Sequence, residues 1–427
     1  MSAVWEDQLA FDCRLESRVD SNSNSSPSIL VARQPILDRD QRLAAYELLA
    51  RSTDALDAHT PGDASATAGV LIGMLAEFGL ERLVGDLPAF VNVTSEYLTG
   101  ELPMPVAPGR VVVEVLETIE PDARALAGVA RLKGLGFQIA IDDYVGPRPG
   151  YEPLLELADI VKVDCLAMDR REIARVAQSL LPFRARRLAE KIEDRATFHA
   201  CRELGFDLFQ GYFFARPDLS STRAPSADRA NLVHLLAELH KPDADLDDLE
   251  QIIARDAALT LKLVRVLNSA AFGLAREVST LREILVYLGP PTVRDIASLL
   301  LLSRCDDKPR PLMLMAMQRA RMCQRLSSFA RSASAPRAFL VGLFSALDAI
   351  LDQPIQEALK SLPLSEDVRA AILEHRGDLG TVLEIALAFE QGNWEALPKT
   401  RPSDAALLDA SLESAAWVTQ LDRQLGR

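Results

Sequence analysis

Between residues 30 and 215 the chain carries eight short apolar runs, most rich in β-branched residues, and no convincing strand pattern follows them. The runs are ILVARQPIL, LAAYELLA, AFVNVTS, RVVVEVLE, FQIAIDD, DIVKVD, RRLAEKI and DLFQGYFFA. Amphipathic stretches at 64–83, 121–134, 167–180 and 195–204 separate several of them. Such alternation builds parallel βα units, because parallel neighbours need a crossover long enough to carry a helix. The first two runs differ: only Asp38 to Arg42 separates them, so they are expected to open the sheet as an antiparallel pair. A span of about 190 residues suits a compact, irregular (β/α)8-type barrel better than a doubly wound sheet. No GxGxxG or Walker motif argues for the latter.

After Pro217 the segment LSSTRAPSADR reads as a linker, and the rest of the chain reads as helical. Helix signals there include the capping box Thr280-x-x-Glu283, Pro290-Pro291 after Gly289, and Ser365 followed by Glu366 and Asp367. The expected organisation is a flexible leader over 1–28, a barrel over 29–218, a linker over 219–230 and an all-helical domain over 231–427. The leader includes SNSNSSPS at 21–28, which is too polar to bury surface.

A formal charge of −14 argues against an extended nucleic-acid footprint, which needs clustered Lys and Arg. Five scattered cysteines without a CxxC spacing fit a reduced, cytoplasmic setting. No apolar run approaches the length that spans a bilayer, and the first residues show no signal-peptide pattern.

The polar residues of the eight runs carry the chemistry. Glu47, Asn92, Glu114, Asp142, Asp143, Asp164, Glu190 and Gln210 each fall within or at the carboxyl end of an expected strand, where barrel active sites are built. Singly each has an ordinary explanation: Asp142-Asp143 as a helix cap, Asn92 as a turn residue, Glu47 as a partner of Arg51. Together they would have to place polar groups at one end of one sheet by accident. Buried carboxylates in successive strands need compensation, and divalent cations supply it. Oxygen donors without His or Cys select Mg²⁺, Mn²⁺ or Ca²⁺ over zinc, and a pair of such ions suits phosphodiester hydrolysis.

At these residues the sequence resembles the EAL family of cyclic di-GMP phosphodiesterases. The matching segments are Arg33-Gln34-Pro35-Ile36, Tyr46-Glu47-Leu48-Leu49-Ala50-Arg51, Asn92, Glu114-Val115-Leu116-Glu117, Asp142-Asp143-Tyr144, Lys162-Val163-Asp164, Glu190-Lys191-Ile192-Glu193 and Gln210-Gly211-Tyr212, in order across the first domain. The resemblance implies a (β/α)8 (TIM-like) barrel that opens cyclic di-GMP to pGpG. It implies that Glu47, Asn92, Glu114, Asp142, Asp143, Asp164 and Glu190, with Gln210, hold two Mg²⁺ or Mn²⁺ ions and the water between them. Lys162, Glu190 and Gln210 would serve that water, Gln34 and Arg51 would contact the ligand, and Glu117 would brace the loop after Asp143. A homodimer and cyclic di-GMP as partner are further implications.

This chain departs from the family pattern in several places. Glu47-Leu48-Leu49 stands for Glu-Ala-Leu, Ser52 for an aromatic residue, Leu116 for Thr and Lys191 for Gly. The loop after Asp143 is Tyr144-Val145-Gly146-Pro147-Arg148-Pro149-Gly150, in which two prolines stiffen a segment that the family keeps glycine-rich. A second reading therefore stays open, a cyclic di-GMP receptor that binds with little or no turnover and signals through protein contacts.

In the second half, Asp256 to Thr260 and Leu263 to Gly273, with the helix ending at Leu288-Gly289, resemble the HDOD family. That resemblance implies a helical fold like that of HD phosphohydrolases without their His-Asp metal pair, and this chain has no His-Asp dipeptide. Regulation through unidentified protein partners is the implied role. Asn268, Ser269 and Phe272 read as turn-shaping residues, and Ile296, Leu299, Leu300 and Leu302 as core.

Overall fold

The computed structural model describes residues 29–52, 79–104, 106–217, 227–241, 244–268, 278, 280–305, 308–330, 333–360 and 362–425. The expected leader, most of the 64–83 stretch, most of the linker and the positions of Ser269 and Phe272 lie outside them.

Eight strands close into a barrel in sequence order: β1 Ile29–Asp38, β2 Leu43–Ser52, β3 Ala89–Val93, β4 Val111–Val115, β5 Gln138–Ile141, β6 Ile160–Asp164, β7 Arg186–Glu190 and β8 Leu208–Gln210. All eight expected runs form strands. β1 lies antiparallel to both β2 and β8, whereas β2 to β8 are parallel, so the short turn after Asp38 makes the opening hairpin that its length predicts. Five strands stop earlier than their runs, β3 at Val93 and β5 at Ile141 among them. β4 ends at Val115, β7 at Glu190 and β8 at Gln210, after which Tyr212–Ala215 turns into a 3-10 segment. Gly211 causes the last change: with φ 139, a Cβ here would lie 2.1 Å from the Ile192 carbonyl oxygen, so only glycine lets the chain turn against β7.

The two-residue period of a strand divides the barrel interior into layers. One residue from each strand, namely Ile36, Ala45, Phe90, Val112, Ala140, Ile160, Leu188 and Leu208, forms a separate buried apolar cluster inside the barrel. This layer is the dry floor of everything built above it. On the outside, helices Ala123–Gly134, Arg170–Ser179 and Arg195–Glu203 start on Asp122, Asp169 and Asp194, whose carboxylates accept backbone N–H groups of the first turn.

The chain from Ala227 to Leu425 is helical among its described residues. Thr280 and Glu283 form the expected capping box, and Pro290 opens the helix Pro290–Leu302 after Gly289. Helices Leu281–Leu288 and Pro290–Leu302 meet at 119°, and Ile296, Leu299, Leu300 and Leu302 are core residues. Asn268 exchanges hydrogen bonds with the Val278 backbone at 2.8 and 2.9 Å. Ser365 precedes the helix Glu366–Glu374 but makes no capping bond with its side chain. Among the described residues no single helix is long and apolar enough to cross a membrane.

The helical half packs on β1. Arg33, buried on the outward face of that strand, donates to Gln318 Oε1 at 2.8 and 3.0 Å and to Thr419 Oγ1 at 2.8 Å, and it lies over the Tyr46 ring. Ser411 donates to the Val31 carbonyl at 2.9 Å, and Arg423 reaches Glu81 and Asp86.

Candidate active site

Two residues nearer the carboxyl end of the barrel than the apolar floor, every strand changes character. Ile36, Ala45, Phe90, Val112, Ala140, Ile160, Leu188 and Leu208 give way to Gln34, Glu47, Asn92, Glu114, Asp142, Lys162, Glu190 and Gln210. β1 runs the other way, so there the step is two residues back. The same pleat that points the floor inward points these eight side chains inward, which is why residues far apart in sequence meet.

Lys162 stands at the centre, 1% exposed. Its Nζ lies 2.5 Å from Glu114, 2.8 Å from Glu190, 2.9 Å from Asp142 and 3.4 Å from Glu47. Burial opposes a charged lysine, but Glu114, Glu190, Glu47 and Asp142 together hold its pKa well above the ordinary value. The carboxylates shift upward as well, which for them favours the neutral form. Burial and the neighbouring Glu47 charge push Glu114 well above its ordinary range, and burial raises Glu190 to about 8. One ammonium therefore does not neutralise the set. Gln210 Nε2 adds a hydrogen bond to Glu47 Oε2 at 2.6 Å and another to Gln34 Oε1 at 2.9 Å.

Further out, Asp143 and Asp164 flank Lys191, whose Nζ lies 3.3 Å from Asp143 Oδ1 and 2.6 Å from Asp164 Oδ2. Asp143 and Lys191 both hold left-handed backbone, with φ 43 and 54, which is uncommon outside glycine. Neither Asp142 nor Asp143 caps a helix, since the next one begins only at Glu152. The Glu117 carboxylate shares this end of the barrel: its oxygen and those of Asp142 and Asp143 lie within 4.8 Å of one another. The intervening loop is tied down at both ends. Tyr144 is buried and its N–H donates to the Lys162 carbonyl at 2.9 Å, while Tyr151 Oη donates to the Glu117 carbonyl at 3.4 Å.

The residues present suit a hard cation. Asn92 Oδ1, Glu114 Oε2, Glu190 Oε2 and Gln210 Oε1 are buried without hydrogen-bond partners, and all are oxygens at one end of the barrel. Buried acceptors left unpaired are costly, and Mg²⁺ or Mn²⁺ satisfies such a set.

Gln34 and Arg51 sit at the rim, and the helical half touches both. Gln34 Nε2 donates to the Gln391 carbonyl at 3.0 Å, and Arg51 faces Glu395 at 3.9 Å rather than Glu47. Tyr212 Oη donates to the Glu390 carbonyl at 2.5 Å. Gly392, with φ 62, brings this turn so close that a Cβ would lie 2.5 Å from Leu49 Cδ1. Glu390 is held in turn by a two-pronged bond from Arg319 at 2.7 and 2.8 Å. Sequence reasoning missed residues 390–395, because no local motif marks a turn whose partners Gln34, Leu49 and Arg51 lie more than 300 residues away.

The geometry defines a TIM-like barrel with an acidic, oxygen-lined mouth, capped on one side by a helical domain. Residues 23–217 match the EAL domain family and residues 228–362 match the HDOD domain family. The chain is 34% identical over 371 residues to cyclic di-GMP phosphodiesterase CdgJ of Vibrio cholerae, covering 86% of this chain and 85% of that one. It is 31% identical over 378 residues to the uncharacterized protein YuxH of Bacillus subtilis, covering 86% and 92%. The barrel is also similar to solved structures of an EAL domain protein from Listeria monocytogenes and of BlrP1 from Klebsiella pneumoniae in complex with manganese and cyclic di-GMP. The first has TM-score 0.34, 21% identity and coverage of 44% of this chain and 87% of that one; for the second the values are 0.37, 20%, 45% and 57%. The chain belongs to the family of proteins that join an EAL barrel to an HDOD domain.

Proposed function

We propose that this chain hydrolyses cyclic di-GMP to linear pGpG with the help of Mg²⁺ or Mn²⁺, and that the helical half regulates access to the site. The observation that carries the reading is the polar layer centred on Lys162, whose unpaired buried oxygens need a cation. Glu47, Asn92, Glu114, Asp142 and Glu190 would hold it, with Asp143 and Asp164 completing the acidic rim. When bound, the metal supplies a water nucleophile near neutral pH and neutralises charge developing on the phosphoryl oxygens. Lys162 orders the carboxylates around itself and keeps them from repelling one another apart. Gln210 orients Glu47, and Gln34 and Arg51 offer an amide and a guanidinium to ligand phosphates at the rim.

The turn 390–395 engages Gln34 and Arg51, the two side chains assigned to the ligand. That contact supports a regulatory role for the helical half, since a ligand and the turn compete for the same groups. Chromatographic detection of pGpG after incubation with cyclic di-GMP and Mn²⁺ tests the activity, with Glu47→Gln as control. Product that disappears in the control supports the enzyme. Micromolar binding without product favours a receptor instead.

A further inference from the structure

The acidic mouth has two halves that differ in how well the protein itself satisfies them. In the inner half, around Lys162, buried oxygens of Asn92, Glu114, Glu190 and Gln210 remain without partners. In the outer half, Asp164 Oδ2 accepts from Lys191 at 2.6 Å, Asp164 Oδ1 accepts the Leu166 N–H at 2.8 Å, and Asp143 Oδ1 accepts from the same lysine at 3.3 Å. The outer pair already has a cation, and the cation is part of the chain.

We propose that Lys191 is a resident cation of the outer half, so that this protein holds one divalent ion where its resemblance to the EAL family leads one to expect two. The inference rests on the metal-dependent reading above and deepens it. Lys191 follows β7 directly, and its left-handed backbone, disfavoured for a lysine, aims the side chain across the mouth at Asp143 and Asp164. Asp143 is held in the same left-handed region, whereas Asp164, the nearer partner, is not. A divalent ion between these two carboxylates would meet the ammonium as a like charge. The remaining ion belongs to the inner half, where unpaired oxygens still ask for it.

Manganese uptake by the full-length protein tests this, read as loss of the free Mn²⁺ signal in room-temperature paramagnetic resonance. Wild type and Lys191→Arg, which keeps the charge, are expected to take up one equivalent. Lys191→Gly and Lys191→Asn are expected to take up two. Glycine removes charge and strain together, whereas asparagine tolerates left-handed backbone and removes the charge. Two equivalents in wild type overturn the proposal, including the case in which Glu117, Asp142 and Asp143 hold a second ion beside Lys191. One equivalent in both neutral variants also overturns it while leaving the metal-dependent reading in place. No uptake by any of the four proteins defeats both.

Discussion

Lys162 is the residue on which the polar layer depends, because it alone faces Glu47, Glu114, Asp142 and Glu190. Removing one partner from a buried ionic cluster leaves uncompensated charge, at a cost of about 3 to 5 kcal/mol. Lys162→Met is therefore expected to lower barrel stability by that amount in urea unfolding, and added Mn²⁺ is expected to recover part of it. A fully stable Lys162→Met protein without metal would contradict the geometry. Gly211→Ala is expected to cost several kcal/mol as well, since its methyl would enter the Ile192 backbone. At this scale the sequence was informative wherever a polar residue interrupted a strand at the right parity. Glu47, Glu114 and Glu190 announce themselves in that way. It was mute about pairing: Lys162 could be named from the resemblance, but its place between four carboxylates depends on strands that only the closed barrel brings together.

The strands and the helix starts at Thr280 and Pro290 were legible because they depend on local chemistry, on period-two patterning and on capping signals, whereas the Ser365 side chain makes no capping bond. Strand ends were less so. The aromatic run after Gln210 looks like a continued strand, but Gly211 and the closeness of β7 redirect it. Within the helix Pro290–Leu302 and its neighbours, two buried groups set opposite pH dependences. His240, hydrogen-bonded to Ser298 at 2.8 Å and stacked on Phe339, is lowered to about 3 by burial and by Arg294. It stays neutral when folded, so its contribution is present above about pH 6.5 and is lost as pH falls towards 3. Asp295 is raised to about 7 by burial, so its contribution is present below about pH 4 and is lost as pH rises through 7. Between pH 4 and 6.5 the two slopes oppose each other. His240→Gln is expected to expose the Asp295 slope, up to ~1.4 kcal/mol per pH unit, with stability falling as pH rises from 5 to 7. Urea unfolding at the two pH values checks it, and an unchanged pH profile would count against it.

Across the whole molecule, the order of barrel and helical domain was readable from composition and motifs, whereas their mutual placement was not. The contacts run from residues 31–51 to residues 318–423, and sequence separation of that size leaves no periodic trace. If the turn 390–395 competes with ligand, loosening it should tighten ligand binding. Gly392→Val adds a side chain against Leu49 at a left-handed position and is expected to lower the Kd for cyclic di-GMP several-fold in calorimetry. Glu395→Ala should do less, because its pairing with Arg51 is exposed and long at 3.9 Å, and pairs of this kind contribute about 0 to 1 kcal/mol. Weaker ligand binding by Gly392→Val would reverse the regulatory reading.

The opening hairpin has a consequence for how the protein is made. Because β1 and β2 are joined by a tight turn, no crossover helix comes with them to shield the outward side of β1, where Val31 and Arg33 are nevertheless buried. Helices Gly377–Gln391 and Asp404–Leu425 provide that shield. The outer surface of β1 thus stays wet until residues 377–425 have been synthesised and folded against it. A barrel made without residues 377–425 would leave the outward side of β1 open to water, so these two helices belong to the barrel's own architecture.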